Sequence, residues 1–473
     1  MPPNQRQNIP TMDDTAAVSL SNLSGHKEIA LQNEMRVRAL MCQCCASQQC
    51  LFRYHMVSSL NIFLWPCTQP LYCAAQQYAW GRLGYSSTVA RMKEAQAAEE
   101  ENNDFEVDES TPYAELWLGT HGNGMSHVSV KGKTQSLLEY VQGNPSLHCG
   151  SSGDLSFLLK VLSVRKVLSI QAHPDKRLAE QLHAERPHVY KDPNHKPEMA
   201  IALSEKVRAM CGFRTLPEIQ DHIQQYPEFA VVLGSDLADR VQAGAGESKA
   251  LLREVFHKYV TAPEDVLQAQ VETMVTRLRQ MHAWDDVQRL ILQLEEQFPG
   301  DCGIFAPLLL NIMELKTGEG LFIDANVPHA YISGEILECM ACSDNVVRAG
   351  LTPKLKDVPT LVSMLTYETG KPATTEGKVM DDCLRRYAPP VHDFLVDVID
   401  VPAGTSYELS AVDSPGVLLA LEGDACLKQG DVTMDVSFGL SAFVSAHTTC
   451  TILAGPYGVR LTRACSNVEY HQA

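Results

Sequence analysis

Ser169, Gln171 and His173 occupy alternate positions in the stretch from Leu168 to Lys176. In a strand they share one face, while Leu168, Ile170 and Ala172 take the other. The apolar face can join a core, leaving a hydroxyl, an amide and an imidazole pointing into one cavity. Glu198, within Asn194-His195-Lys196-Pro197-Glu198-Met199-Ala200, can bring a carboxylate from a neighbouring strand. An amide, an imidazole and a carboxylate suit a borderline metal such as zinc, provided one more imidazole joins them. Spacing alone does not demand this, because a single His or Glu in such a place is more often a hydrogen-bonded core residue. His329, in the short apolar turn Asn326-Val327-Pro328-His329-Ala330-Tyr331, is the candidate for the missing imidazole.

Four further strings extend the pattern. They are Gln76-Gln77-Tyr78-Ala79-Trp80-Gly81, the run from Tyr113 to His121, the run from Glu338 to Asn345, and the run from Arg348 to Lys354. With the segments around His173, Glu198 and His329 they closely resemble type I phosphomannose isomerases, over roughly residues 70 to 473. The resemblance implies one zinc ion per chain, held by Gln171, His173, Glu198 and His329. It also implies an aldose-ketose isomerase that interconverts D-mannose 6-phosphate and D-fructose 6-phosphate through a cis-enediol, feeding mannose into GDP-mannose synthesis and glycosylation. The four side chains carry a single negative charge against a doubly positive ion, and the residual charge suits a developing enediolate. Arg348 matches the catalytic arginine of the family, although an Arg before Ala-Gly could on its own be a surface ion pair. Lys196, in the same turn as Glu198, is the first candidate for the proton-transferring or ring-opening group, and Glu338 is the second. Ser169 and Lys160 are the candidate phosphate contacts.

Two rival readings use the same residues. His173-Pro174-Asp175 with His329 spells the H-x-D…H pattern of an iron(II) oxygenase on a similar β barrel. That reading leaves Gln171 and Glu198 without a task. A non-catalytic binding module on the same fold would require a lost ligand, and all four are present.

The composition agrees with an enzyme of this kind. A chain of 473 residues with 45% hydrophobic and 20% charged content can bury a full core and suggests about three domains. A formal net charge of −18 argues against a nucleic-acid surface. An anionic substrate therefore needs locally gathered cations, and Lys160, Lys176, Lys196, Arg348, Lys354 and Lys356 all lie near the motifs. Fifteen scattered cysteines fit a reducing cytosol, and Cys339 and Cys342 read as packing residues. The expectation is a cytoplasmic monomer acting on a small sugar phosphate, with no nucleic-acid or membrane partner.

The elements that position these residues follow in chain order. Residues 1–69 read as a poorly ordered extension containing the cluster Cys42, Cys44, Cys45 and Cys50, where palmitoylation has weak support. Its apolar run from Val57 to Trp65 falls short of the ~20 residues a membrane span needs, and its acids argue against a mitochondrial presequence. Pro70 to Trp80 should supply the first strand of the catalytic region, followed by a short helix and a solvated acidic loop from Glu99 to Glu109. Phe157-Leu158-Leu159 and Val161-Leu162-Ser163-Val164 read as strand-like runs interrupted by Lys160, which either snorkels or points inward. Leu267, Val271, Met274, Leu278 and Met281 form a helical stripe opened by a capping box at Thr261 to Glu264; a second helix ends before Pro299-Gly300. Strand patterning resumes at Ile304, and short strands separated by turns fill the region after Asp393. The expected architecture is mainly β with an α-helical insertion: cupin or jelly-roll β barrels plus a helical domain. Residues 70–214 and 301–375 form the catalytic part, 215–300 the helices, and 376–473 a C-terminal jelly roll.

Overall fold

The computed structural model describes residues 68–100, 103–130, 132–150 and 154–470. The extension up to residue 67, with its cysteine cluster, and Glu101 of the acidic run lie outside the described residues. The fold is mainly β with a block of helices inserted between strands. Two eleven-stranded sheets carry it, and in each the hydrogen-bonded neighbours form an open path consistent with a cupin-like fold.

The strand His329–Ala341 organises the first sheet, and all of it except Ser333 is buried. Its first part pairs with Val207–Phe213 and, at His329, with Ile170–Ala172. Its second part pairs with Glu198–Ala202 on one side and Phe157–Val164 on the other. The partners change around Gly334, whose φ is 122°. A Cβ at that position would lie 2.9 Å from Val207 Cα, so the bend needs glycine for both its angle and its close approach. The bend lets the Tyr331 hydroxyl donate to Glu338 Oε1 at 2.9 Å. In a straight strand these Cα atoms would stand about 23 Å apart.

Phe157–Val164 is one strand, fully buried, and runs straight through Lys160. At 5% exposure Lys160 points inward and does not snorkel. Six helices span Leu216 to Gln297. Their apolar faces share one core with Ile170, Ala172, Val347 and Ala349, which belong to the strands Ile170–Ala172 and Val347–Gly350. The helical block thus packs beneath the strands that bear Gln171 and Arg348.

Several expected boundaries shift. The helix Glu264–Arg279 is preceded by Pro263, which gives no side-chain cap. Thr261 instead closes the preceding helix, its hydroxyl donating to the His257 carbonyl. The stripe holds through Leu278, but Met281 lies past the helix end and is 39% exposed. Ile304 sits in the 3-10 helix Cys302–Leu308, and the strand begins at Leu310. The stretch expected to open the catalytic sheet is divided between two sheets. Ala74–Gln76 pairs with Glu115–Leu118 in the first. Thr68–Tyr72 inserts between Ser441–Val444 and His127–Val130 in the second. Sequence pattern does not reveal this, because pairing partners several hundred residues apart leave no local trace.

Asp397 anchors the second sheet. It is fully buried and lies opposite Arg386 on one neighbouring strand and Arg463 on the other. Both guanidinium groups donate to it, Arg386 at 2.8 Å and Arg463 at 2.6 Å. Asp397→Ala would leave two cations without their counter-ion and should destabilise the protein by about 3–5 kcal/mol. The urea unfolding midpoint measures this.

Candidate metal centre

His173, Glu198 and His329 bring one ligand atom each to a common point, all within 4.8 Å of one another. His329 opens the long central strand, Glu198 opens a neighbouring one, and His173 follows Ile170–Ala172 directly. Each is at most 1% exposed. Glu198 Oε1 is 3.2 Å from His173 Nε2, and Glu198 Oε2 is 3.3 Å from His329 Nε2.

The protons on the rings decide what this cradle can hold. His173 Nδ1 faces the Asn345 carbonyl at 2.7 Å, and His329 Nδ1 faces the Val327 carbonyl at 2.9 Å. A carbonyl only accepts, so Nδ1 carries the proton and Nε2 presents a lone pair in each neutral ring. Burial pushes His173 down to about 4, which keeps it neutral near pH 7. Burial alone would favour a protonated Glu198. Lys196, whose Nζ is 3.4 Å from Oε1, opposes this and favours the carboxylate. Two Nε2 atoms and the oxygens of one carboxylate thus converge on a common point. His173 Nε2, His329 Nε2 and Glu198 Oε2 are indeed buried without a hydrogen-bond partner. A divalent cation satisfies all three, and the nitrogen-oxygen donor set with Nδ1-anchored rings suits zinc.

Gln171 lies directly opposite both His329 and Arg348 in the strand register, so the three side chains share a face of the sheet. Arg348 is half-buried, and burial alone lowers its pKa, with no charged group contributing. Ser169 precedes the same strand, two positions before Gln171. Lys160, Glu338 and Ala200 are likewise opposed across three strands. Lys160 Nζ lies 3.2 Å from Glu338, 3.8 Å from Glu115 and 4.9 Å from the centre of the Trp117 ring. Burial would discharge this lysine, but the surrounding carboxylates outweigh it and raise its pKa. Glu338 is raised, first by burial and then by the charge on Glu198.

Asp175 does not join the metal cradle. Its side chain caps the helix Lys176–Glu185 and accepts from Asn326 Nδ2 at 2.9 Å. The carboxylate in the cradle is Glu198, so the H-x-D…H reading as an iron(II) oxygenase fails. Cys339 and Cys342 are packing residues, and burial pushes both thiols up, Cys342 to about 12. Of the other basic candidates, Lys176 is exposed and donates to Asn194, and Lys356 reaches Cys302. A cavity of about 920 Å³ lined by Ile201, Glu335 and Leu337 contains none of these site residues.

Three residues without an assigned role in the sequence reading belong to the site. Asn345 orients His173 through its carbonyl, and its own side chain is held by the carbonyls of Asp192 and Asn194. Tyr331 orients Glu338, and Glu115 flanks Lys160. Tyr331 follows His329 by two positions, and Glu115 precedes Trp117 by two. That alternation is the only local sign of their common orientation.

A buried carboxylate and two imidazoles on a cupin-like sheet, with an arginine on the same face as one of the imidazoles, define a metal-dependent enzyme site. The profile for the catalytic domain of phosphomannose isomerase type I matches residues 68–216, and that for its helical insertion domain matches residues 230–310. Mannose-6-phosphate isomerase 2 of Arabidopsis thaliana is 41% identical over 85% of this chain and 95% of its own length. Mannose-6-phosphate isomerase of Homo sapiens is 39% identical over 85% and 99%. A zinc-bound crystal structure of mannose 6-phosphate isomerase superposes with a TM-score of 0.72 at 31% identity, covering 85% of this chain and 99% of that one. The chain belongs to the type I phosphomannose isomerase family.

His329→Ala removes one of two imidazoles from the cradle. Even outer-shell partners of a metal ligand are worth about 10–100-fold in affinity, so this variant should lose more than about 100-fold. Elemental analysis of the purified protein should find the metal absent. Full occupancy would remove His329 from the ligand set.

Proposed function

We propose that the chain is a zinc-dependent aldose-ketose isomerase that interconverts D-mannose 6-phosphate and D-fructose 6-phosphate. A proton moves between C2 and C1 through a cis-enediol. The observation that carries this reading is the set of buried, partnerless acceptor atoms on His173, Glu198 and His329. Its support is the 39–41% identity to proteins named mannose-6-phosphate isomerase.

Gln171 completes the ligand set on the face it shares with His329. Zinc bound there supplies Lewis acidity toward the sugar oxygens. The remaining work belongs to the side chains around it. Arg348 offers a planar fork of N–H donors, and no charged neighbour accounts for its pKa, so it can stabilise the enediolate. Burial, and then the charge on Glu198, makes Glu338 hold its proton more tightly than an ordinary carboxylate, which suits a group that takes and returns a proton. Tyr331 and Lys160 fix its orientation. Lys196, 3.4 Å from Glu198, is the other proposed proton-transferring or ring-opening group. Ser169 and Lys160 are the proposed substrate contacts. Lys160 has three N–H donors and one carboxylate at hydrogen-bonding distance, leaving capacity for a substrate oxygen. The product feeds GDP-mannose synthesis and glycosylation. No described helix is long and apolar enough to cross a membrane. A cytoplasmic monomer is the proposed state of the protein.

Isomerase activity measured before and after chelation tests the whole reading. Chelation should abolish turnover and zinc should restore it. Restoration by iron alone, with oxygen consumed, would overturn it.

The arginine is tested by Arg348→Lys. An ammonium keeps the charge but not the two-pronged geometry. The expected loss in kcat is on the order of 10²-fold, comparable with removing one preorganised oxyanion donor. KM should change little if the contact tightens only as the enediolate forms, and metal content should stay normal. A normal kcat with a much larger KM would move Arg348 to plain phosphate binding.

A further inference from the structure

Immediately after Arg348 the chain turns sharply. The strand pairing is irregular between Arg348 and Gly350, and Leu351 adopts a φ of 55°, a region seldom used by a branched residue. Such a turn persists only where its surroundings hold it. The surroundings here are the residues that end the helical block. Asp301 Oδ1 accepts the Leu351 N–H at 2.7 Å, and Oδ2 accepts the Thr352 N–H at 3.3 Å. Oδ1 also accepts the Gly303 N–H at 2.7 Å, which caps the 3-10 helix Cys302–Leu308. The Cys302 thiol donates to the Ala349 carbonyl at 3.6 Å. Close approach leaves no slack: a Cβ on Gly350 would lie 3.0 Å from Gly303 Cα and 3.1 Å from Asp301 Oδ1.

We propose that Asp301 is a positioning residue for the isomerase reaction, clamping the backbone turn after Arg348 so that the guanidinium meets the enediolate in fixed geometry. The proposal rests on the reading of Arg348 given above. Asp301 touches no reacting group; it acts through two backbone N–H donors that a free loop would turn to solvent. One carboxylate joins the end of the helical block to the arginine strand, so the block sets the angle of a catalytic side chain.

The test is Asp301→Ser in the full chain with its metal, assayed on mannose 6-phosphate. Serine remains a competent cap for Gly303 but cannot serve Leu351 and Thr352 as well. A displacement of about 1 Å at a reacting group costs up to about 10²-fold, so kcat should fall by about 10- to 100-fold. KM should stay within about 2-fold, and metal content should be unchanged. Added to Arg348→Lys, Asp301→Ser should cost less than about 2-fold more, since both changes remove one interaction. Gly350→Ala separates the same two segments from the other side. It should also lower kcat, and it decides the matter if Asp301→Ser does not fold. A normal kcat in the single variants, or a full multiplicative loss in the double variant, overturns the role of Asp301. An Arg348→Lys protein with normal kcat overturns the reading of the arginine itself and is recognised without any Asp301 variant.

Discussion

At Gly334 the strand His329–Ala341 changes direction and partners, because glycine alone tolerates its φ of 122° against the backbone of Val207. His329 and Tyr331 precede the bend, and Glu338 follows it. Before the bend the strand pairs with the segment that delivers Gln171 and His173; after it, with those that deliver Glu198 and Lys160. One strand therefore gathers the buried His173–Glu198–His329 cluster and the Lys160–Glu338 pair. A straight strand would carry them to opposite ends of the sheet.

Collecting them creates an electrostatic problem. Glu115, Glu198 and Glu338 are buried together, and Lys160 and Lys196 supply two compensating charges. Burial and then the Glu198 charge raise Glu338, and Glu198 Oε2 is left without a hydrogen-bond partner. A divalent cation converts that deficit into a net positive site inside a chain whose formal charge is −18. That inversion lets a strongly acidic protein receive an anionic sugar phosphate.

The helical block supports the same site from the reverse side. Ile170 and Ala172 face its core while Gln171 lies opposite His329; Val347 and Ala349 face its core while Arg348 lies opposite Gln171. Strand alternation turns a packing interface into a mounting for Gln171 and Arg348.

How much was legible follows from the range of each signal. The alternation of Ser169, Gln171 and His173 is local, and it grouped an amide and an imidazole as candidate ligands before any fold was known. The helix Glu264–Arg279 announces itself by the spacing of Leu267, Val271, Met274 and Leu278, whose side chains must share a face. Motif strings added Glu198, His329 and Arg348 through family resemblance, because nothing in their neighbours requires a metal. The bend at Gly334, the entry of Thr68–Tyr72 into the second sheet, the capping role of Asp175 and the partnership of Asp301 with Leu351 were not legible. Each depends on a contact between segments far apart in sequence, or on a backbone angle that several glycines could equally have taken. Sequence by itself determined which side chains were available and which elements would carry them. Only the tertiary structure decided which ones meet, because hydrogen bonds and buried charges are matched in space and leave no period along the chain.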